Sequence, residues 1–421
     1  MFKRYCAVAI ILMFCSVILT GCWDSSEVDD NVYAIIMGLD KGNENKVIVT
    51  VQYPTYTPTR GGQSQTSGNT AEDSRVDSIE SPAILESINL MNMAVSRRVS
   101  LLHTKMLVIS EELAREGVGD FLSPLARFRG TRRTMFVVVT KGRAVDFINA
   151  NKTGAGESVT KSLELMIAQS KNTGFFPYIN FHEFYKQIIS NYANPITIYA
   201  GVNDFSQIRL QDGSPKAPLV TQKDYKPGEL PRMGLVSREF VGTVLFNGDK
   251  MVGSLNPYET RCLLMIQNKF KRGIMTIEDR NSPGDGIIFS IRRGRKTYVK
   301  GRFEAGKPVI DLGLNIEADI GAIHSRINYE RSKLINTLSK QLEGEIKREV
   351  ERTIAKAKDK YRVDVFRFGK EFAGYFPTIQ DWEKYDWLSH FPDTKVNVTV
   401  EVNIRRTGLM IESSPITRGK H

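Results

Sequence analysis

The chain has 421 residues, 41% of them hydrophobic and 25% charged, with a formal net charge of +11. This is the balance of a globular protein, and the length suffices for two or three domains. The four cysteines, at positions 6, 15, 22 and 262, exclude a disulfide-rich scaffold, and after the first apolar run no stretch is long enough to span a bilayer.

Lys3 and Arg4 precede about fifteen nearly unbroken apolar residues, Tyr5 to Leu19. As a helix this run is a little over 20 Å long, short of a ~30 Å hydrocarbon core, so it reads as the h-region of a signal peptide. It ends in Leu19-Thr20-Gly21-Cys22. A small residue followed by cysteine is the pattern of a bacterial lipobox: the Cys22 thiolate is alkylated by a diacylglycerol group and the chain is cut after Gly21. The plainer alternative is an ordinary secretory signal with an incidental cysteine, but the order of basic start, apolar run and small-Cys end favours lipidation. Cys22 is then expected to open the mature protein, carrying S-diacylglycerol and an N-palmitoyl group. Cys262 is left as a lone thiol.

The basic excess suits an anionic partner, and the phospholipid surface of the anchor is the nearest one. Nucleic acid is disfavoured by export and by the lack of a recognition motif. A charge spread thinly over a solvated surface explains the excess equally well.

Val32–Leu39 and Lys46–Tyr53 flank a Gly/Asn loop and read as a strand pair. Residues 60–75, with Ala71 the one apolar side chain, have too little to bury and read as a mobile loop. Ser81-Pro82 looks like the capped start of a helix carrying Ile84, Ile88, Met91 and Val95. His103–Ser110 is a strand, "EELAREG" a short helix closed by Gly117, and Thr134–Thr140 a central strand. Amphipathic helices follow near 157–170 and 181–192. The second holds His182-Glu183, but no histidine pair has metal-binding spacing, so no metal or cofactor is expected.

The four prolines and three glycines of residues 211–237 mark an interdomain linker. After it "REFVGTVLFNGDKMVGSL" is a hairpin around Asn247-Gly248, and "NPYETRCLLMIQNK" a helix capped by Asn256 with Pro257 in its first turn. Strands are expected near 286–293, 297–304 and 307–318. Between about 328 and 361, Leu334, Leu338, Leu342, Ile346, Val350 and Ile354 recur at every fourth position, the stripe of a long helix laid on a sheet rather than a dimer zipper. Lys395–Arg406 alternates strictly and closes the fold as a strand.

The expected class is thus α+β and multi-domain, with mixed or antiparallel sheets packed with helices and a long amphipathic helix in the last domain. The divisions are 1–21 signal peptide, 22–210 N-terminal α+β region, as one unit or two subdomains, 211–237 linker and 238–412 C-terminal α+β domain.

"GCWDSSEVDD…AIIMGLDK", "HTKMLVISEELAREGV…FLSPLARFRGTRR", "VGTVLFNGDKMVGSLNPYETRCLLMIQNK" and "YRVDVFRFGKEFAGYF…VNVTVEVNIRRTG" together resemble the Ger(x)C lipoproteins, the C subunits of spore nutrient-germinant receptors. The resemblance implies a palmitate- and diacylglycerol-anchored protein on the outer face of the spore's inner membrane. It also implies assembly with membrane-embedded A and B subunits, and a non-catalytic role in germination. Of residues with a carried-over role, it points to Cys22; Trp23 and Asp24 match the family motif without an assigned mechanism. Two other classes stay in view. A solute-binding lipoprotein needs two parallel α/β lobes around a cleft. A cortex-directed hydrolase could use Asp381, Glu383 and Asp386, which sit among Trp382, Tyr385 and Trp387, although such a turn more commonly packs on a neighbouring element.

Overall fold

A computed structural model describes residues 27–54, 74–150, 159–206, 225–325, 327–329 and 332–406, with scattered positions among the first thirteen. The polar segment 60–73, the lipobox and residues 211–224 of the Pro-rich stretch lie outside the described residues. In the first half the strands are β1 (Asn31–Tyr33), β2 (Ile36–Lys41), β3 (Val47–Pro54), β4 (Ser74–Ser81), β5 (Arg98–Ser100), β6 (Met106–Ser110), β7 (Phe136–Thr140) and β8 (Ile196–Val202). The helices are α1 (Ile84–Met91), α2 (Glu111–Glu116), α3 (Gly119–Arg127), α4 (Ala144–Asn149), α5 (Val159–Ala168), α6 (Ser170–Thr173) and α7 (Phe181–Ile188). A hairpin, β9 (Arg238–Asn247) and β10 (Lys250–Leu255), comes next.

These strands form one eight-stranded sheet in the order β10-β9-β8-β7-β6-β2-β3-β4, with β1 and β5 paired separately. Its centre, β2, β6, β7 and β8, is parallel, and both flanks are antiparallel. The strands alternate faces as their period of two requires. Ile36, Met106, Val108, Val138 and Ile198 point to a core shared with α4 and α5. Met37, Leu107, Ile109, Val137 and Val139 point to the larger core that continues into the second half. A sheet covered on both faces explains why "TMFVVVT" reads apolar throughout.

Three expectations are corrected here. Val32–Leu39 is two strands, because β1 leaves the sheet to pair in parallel with β5. Ser81 ends β4 instead of capping a helix: its Oγ donates to the Ala83 carbonyl at 2.8 Å, and α1 starts at Ile84. The hairpin at 238–255 does not open a separate sheet. β9 hydrogen-bonds to β8, from Ile196↔Leu245 to Val202↔Arg238, so the sheet runs straight through the expected domain boundary. The described part of the Pro-rich stretch is pinned to β9, whose buried Glu239 accepts from the Gly228 amide at 2.8 Å and Arg232 Nε at 2.6 Å.

The second half holds α8 (Pro257–Ile266), β11 (Arg272–Glu278), β12 (Gly286–Arg293), β13 (Tyr298–Glu304), β14 (Lys307–Ile323), α9 (Ser332–Ala355), α10 (Ile379–Tyr385), α11 (Trp387–His390) and β15 (Lys395–Arg406). β14, 17 residues long, organises the five-stranded second sheet. β13 and β12 follow one another along one of its edges, and β15 runs parallel along the other. α9 lies on β15 and α8 through Leu338, Leu342, Ile346, Val350 and Ile354, all buried, which is the helix-on-sheet packing expected from the stripe.

α8 is the pivot between the two halves. Asn256 and Glu259 close a capping box at its start, with Pro257 in the first turn, as the sequence predicts. Every residue of the helix but Glu259 is buried, the signature of an element inside a core rather than on it. Thr260 meets Thr243 of β9 at 2.8 Å, Glu259 meets Lys356 at 2.6 Å, and Arg261 donates to the carbonyls of Thr173 and Ile274 at 2.8 and 2.9 Å. Gly253 of β10 lies so close to the Tyr361 ring that no side chain fits there. The architecture is α+β, two sheets sharing one continuous core.

Candidate functional site

Of the residues expected to carry function, Gly21, Cys22, Trp23 and Asp24 lie outside the described residues, and the first described strand opens at Asn31. Cys262 is a free, buried thiol on α8, pushed up to about 12 by burial. His182 is exposed on α7, while Glu183 beside it pairs with Lys269 at 3.6 Å, so the two do not converge.

Asp381, Glu383 and Asp386 are all exposed, and the aromatics among them turn inward. Trp382 stacks toward Tyr385 and Trp387, and its Nε1 donates to Asn191 Oδ1 at 3.1 Å. The turn therefore packs, and its carboxylates face solvent instead of flanking a groove. The buried carboxylate of this region is Asp364, between Val363 and Val365. Its Oδ2 accepts from Trp387 Nε1 and the Gly369 amide, both at 2.9 Å, and its Oδ1 from the Phe366 amide at 3.0 Å. Its backbone exchanges two 2.8 Å bonds with Asn194, joining the last segment to the first sheet. Complete burial raises its pKa to about 6. A carboxylate already holding three donors is a structural clamp. The hint in sequence was an aspartate inside an otherwise alternating apolar run.

A cleft of about 620 Å³ opens at the C-terminal ends of β2, β6 and β7. In α/β sheets this edge is where strand ends and helix starts leave room for ligands. Asp40, buried on β2, accepts from the first amides of α4, Ala144 at 2.6 Å and Val145 at 3.0 Å. Its pKa is raised, since desolvation outweighs those bonds and the neighbouring Arg143. Lys41 bridges Glu112 and Glu116, which raise its pKa. Glu111 holds Arg115 and accepts from the Tyr199 hydroxyl at 2.7 Å. Ser110 is occupied as the cap of α2. Most of these charges are thus matched to one another, and among the described residues lining the cleft no serine or cysteine stands beside a histidine. Such a wall can recognise a polar group or a partner segment. Among the described residues no cluster of His, Cys, Asp and Glu could hold a metal ion.

Comparisons with known proteins bear on the whole chain. The family model described as "Spore germination protein N-terminal domain" matches residues 24–202, and "Spore germination B3/ GerAC like, C-terminal" matches 241–408. Spore germination protein KC of Bacillus subtilis (strain 168) is 27% identical, over 96% of this chain and 97% of its own. Spore germination protein B3 of the same organism is 22% identical, over 94% and 97%. Spore germination protein GerQC of Bacillus cereus is 20% identical, over 95% and 98%. The crystal structure of the GerBC protein superposes with a TM-score of 0.52 at 16% identity, covering 87% of this chain and 96% of that one. At that identity the match speaks for the fold. With both family models in order along one chain and full-length relatives on either side, the protein belongs to the Ger(x)C family of spore germination proteins.

Proposed function

We propose that this chain is the lipid-anchored C subunit of a spore nutrient-germinant receptor, a non-catalytic part that assembles with the A and B membrane subunits on the outer face of the spore's inner membrane. The carrying observation is the end-to-end match to the spore germination family. The signal-like start with Leu-Thr-Gly-Cys at 19–22 supports the anchor. The paired charges of the cleft and the outward-facing Asp381, Glu383 and Asp386 support a non-enzymatic role. A solute-binding protein would close two lobes over a cleft; here the buried helix α8 fills the space between the sheets.

Mass spectrometry of the mature N-terminus tests the anchor. The expected result is cleavage after Gly21 and a Cys22 carrying diacylglycerol and palmitate, with Cys22→Ala leaving the protein uncut and unlipidated. Cleavage elsewhere, or an unmodified Cys22, overturns it. Co-purification with membrane subunits from spores tests the assembly, and recovery of the chain without them overturns that part.

A further inference from the structure

One end of the molecule has a surface that the receptor-subunit reading does not use. β1 and β5, α1 and the turn after α3 surround an open groove of about 370 Å³, whose walls include Tyr33, Leu85, Arg98, Leu102 and Phe128. Apolar side chains at its rim are exposed together: Leu102 is 53% exposed, Phe128 41%, and Met93, next to the groove residue Asn92, 81%. Burying such groups removes about 25 cal/mol for each Å² taken from water, so a rim of large apolar side chains marks a contact surface.

Basic groups ring the same place. Arg97 and Arg98 lie at the start of β5, Arg127 ends α3, and Arg129 follows Phe128, all exposed. None of these four makes an ion pair among the described residues, which is also true of the exposed Arg272, Arg280 and Arg295 of the second half; what sets the four apart is their place beside the apolar groove. Arg133 is also exposed, with one bond to the Ala126 carbonyl. The acidic groups of α1 and of the segment ahead of β1 are Glu86 and Glu27, Asp29 and Asp30, so the five arginines at 97, 98, 127, 129 and 133 exceed them by one. Unpaired guanidinium groups interleaved with exposed Phe, Leu and Met form a surface for the boundary of an anionic bilayer, where charges meet phosphates and apolar tips enter the acyl edge.

The chain's path fits the same occupant. Asn31 lines the groove and is nine residues beyond Cys22. Nine residues span at most about 30 Å, so an acyl anchor keeps this end of the protein, more than the second sheet, near the membrane. We propose that this face lies on an anionic phospholipid surface and orients the protein there, with the arginines at 97, 98, 127 and 129 on lipid phosphates and Leu102, Phe128 and Met93 inserted between headgroups. The orientation rests on the lipid-anchor reading; the affinity of the face for lipid does not.

The test therefore uses residues 23–421, which contain every strand and helix described above but no lipidated cysteine. Sedimentation is measured with vesicles of phosphatidylcholine alone and of phosphatidylcholine mixed with phosphatidylglycerol. Binding is expected to the anionic vesicles and to weaken as salt is raised. Replacing Arg97, Arg98 and Arg129 by Glu is expected to lower it at least about tenfold, since each basic residue near such a surface contributes about 1 kcal/mol. Leu102→Ala with Phe128→Ala is expected to weaken it while keeping the salt dependence. Arg272→Glu, Arg295→Glu and Lys296→Glu together make the same change in net charge on the second half and are expected to bind nearly as the parent does. Unchanged melting temperatures show that the variants are folded. Failure to bind anionic vesicles, an equal loss in the second-half variant, or a dimer in light scattering that the groove variants dissolve, each overturns the proposal. An unmodified Cys22 in mass spectrometry alongside retained vesicle binding would fault the anchor reading alone.

Discussion

Asp364 shows how much one buried side chain can be asked to do. Its oxygens hold three donors from two segments, yet its pKa stands near 6 because no cation compensates its loss of water. A carboxyl whose folded pKa lies above its unfolded value near 4 binds more protons when folded, so its contribution to stability falls as pH rises from about 4 to about 6. Over that window the loss is on the order of 2–3 kcal/mol. Asp364→Asn removes this slope and also turns an amide nitrogen toward N–H donors. It is therefore expected to be less stable than the parent by about 1–3 kcal/mol near pH 7, with the gap widening toward pH 4 in urea titrations. Parallel pH curves would show that Asp364 is not the source. Arg238 is the opposite case: 2% exposed, set over the Phe147 ring at 5.8 Å, with all three guanidinium nitrogens lacking an acceptor among the described residues and its pKa lowered to about 10 by burial. A desolvated charge without an acceptor costs more than an apolar side chain of similar length. Arg238→Met is expected to leave stability unchanged or raise it by about 1–2 kcal/mol. A loss in thermal unfolding would mean that the guanidinium has a partner.

Among elements, α8 and α9 separate local from tertiary sources of stability. The capping box of α8 satisfies two amides within four residues, so Asn256→Ala is expected to cost about 1 kcal/mol, much as a cap does on any helix. Leu342, with no exposed surface in the middle of α9, sits between that helix, α8 and the second sheet. Leu342→Ala is expected to cost about 2–5 kcal/mol, and Leu334→Ala, half-buried near the start of the helix, clearly less. Chemical denaturation of the three variants checks the order; equal costs for Leu334 and Leu342 would contradict the packing. The stripe was legible because apolar residues repeating at every fourth position leave few alternatives to a helix. The start of α1 was misplaced for an equally local reason. Ser and Pro suit a helix start and the turn after a strand alike, and only the pairing of Ser81 with Val47 shows which one is formed.

For the whole molecule, the decisive feature is that the sheet of the first half is completed by a hairpin from beyond the Pro-rich stretch. A fragment of residues 238–421 carries β9 without β8, and one ending at 237 leaves β8 as a bare, apolar edge. Neither half is expected to fold alone, while the chain unfolds in a single transition because one core and the Arg261, Asp364 and Glu259 bridges connect both sheets. Circular dichroism and calorimetry of the fragments and the parent check this. A cooperative melt of 238–421 by itself would show that the C-terminal domain expected from composition folds independently.

What the sequence determined by itself was local. The hairpin at Asn247-Gly248, the cap at Asn256, the stripe of α9 and the alternation of 395–406 each depend on residues a few positions apart, and each stands where the sequence places it. The family resemblance was likewise carried by short blocks of residues, and the match to both germination models bears it out. Sheet partners were decided by the tertiary structure. Any apolar strand can accept many neighbours, so nothing near Arg238–Asn247 names β8, and nothing near Lys395–Arg406 names β14 or its parallel direction. The same holds for burial of a charge. Asp40 and Arg238 look like any surface residue in sequence, Asp364 is marked only by its apolar neighbours, and the layers folded over all three remove their water.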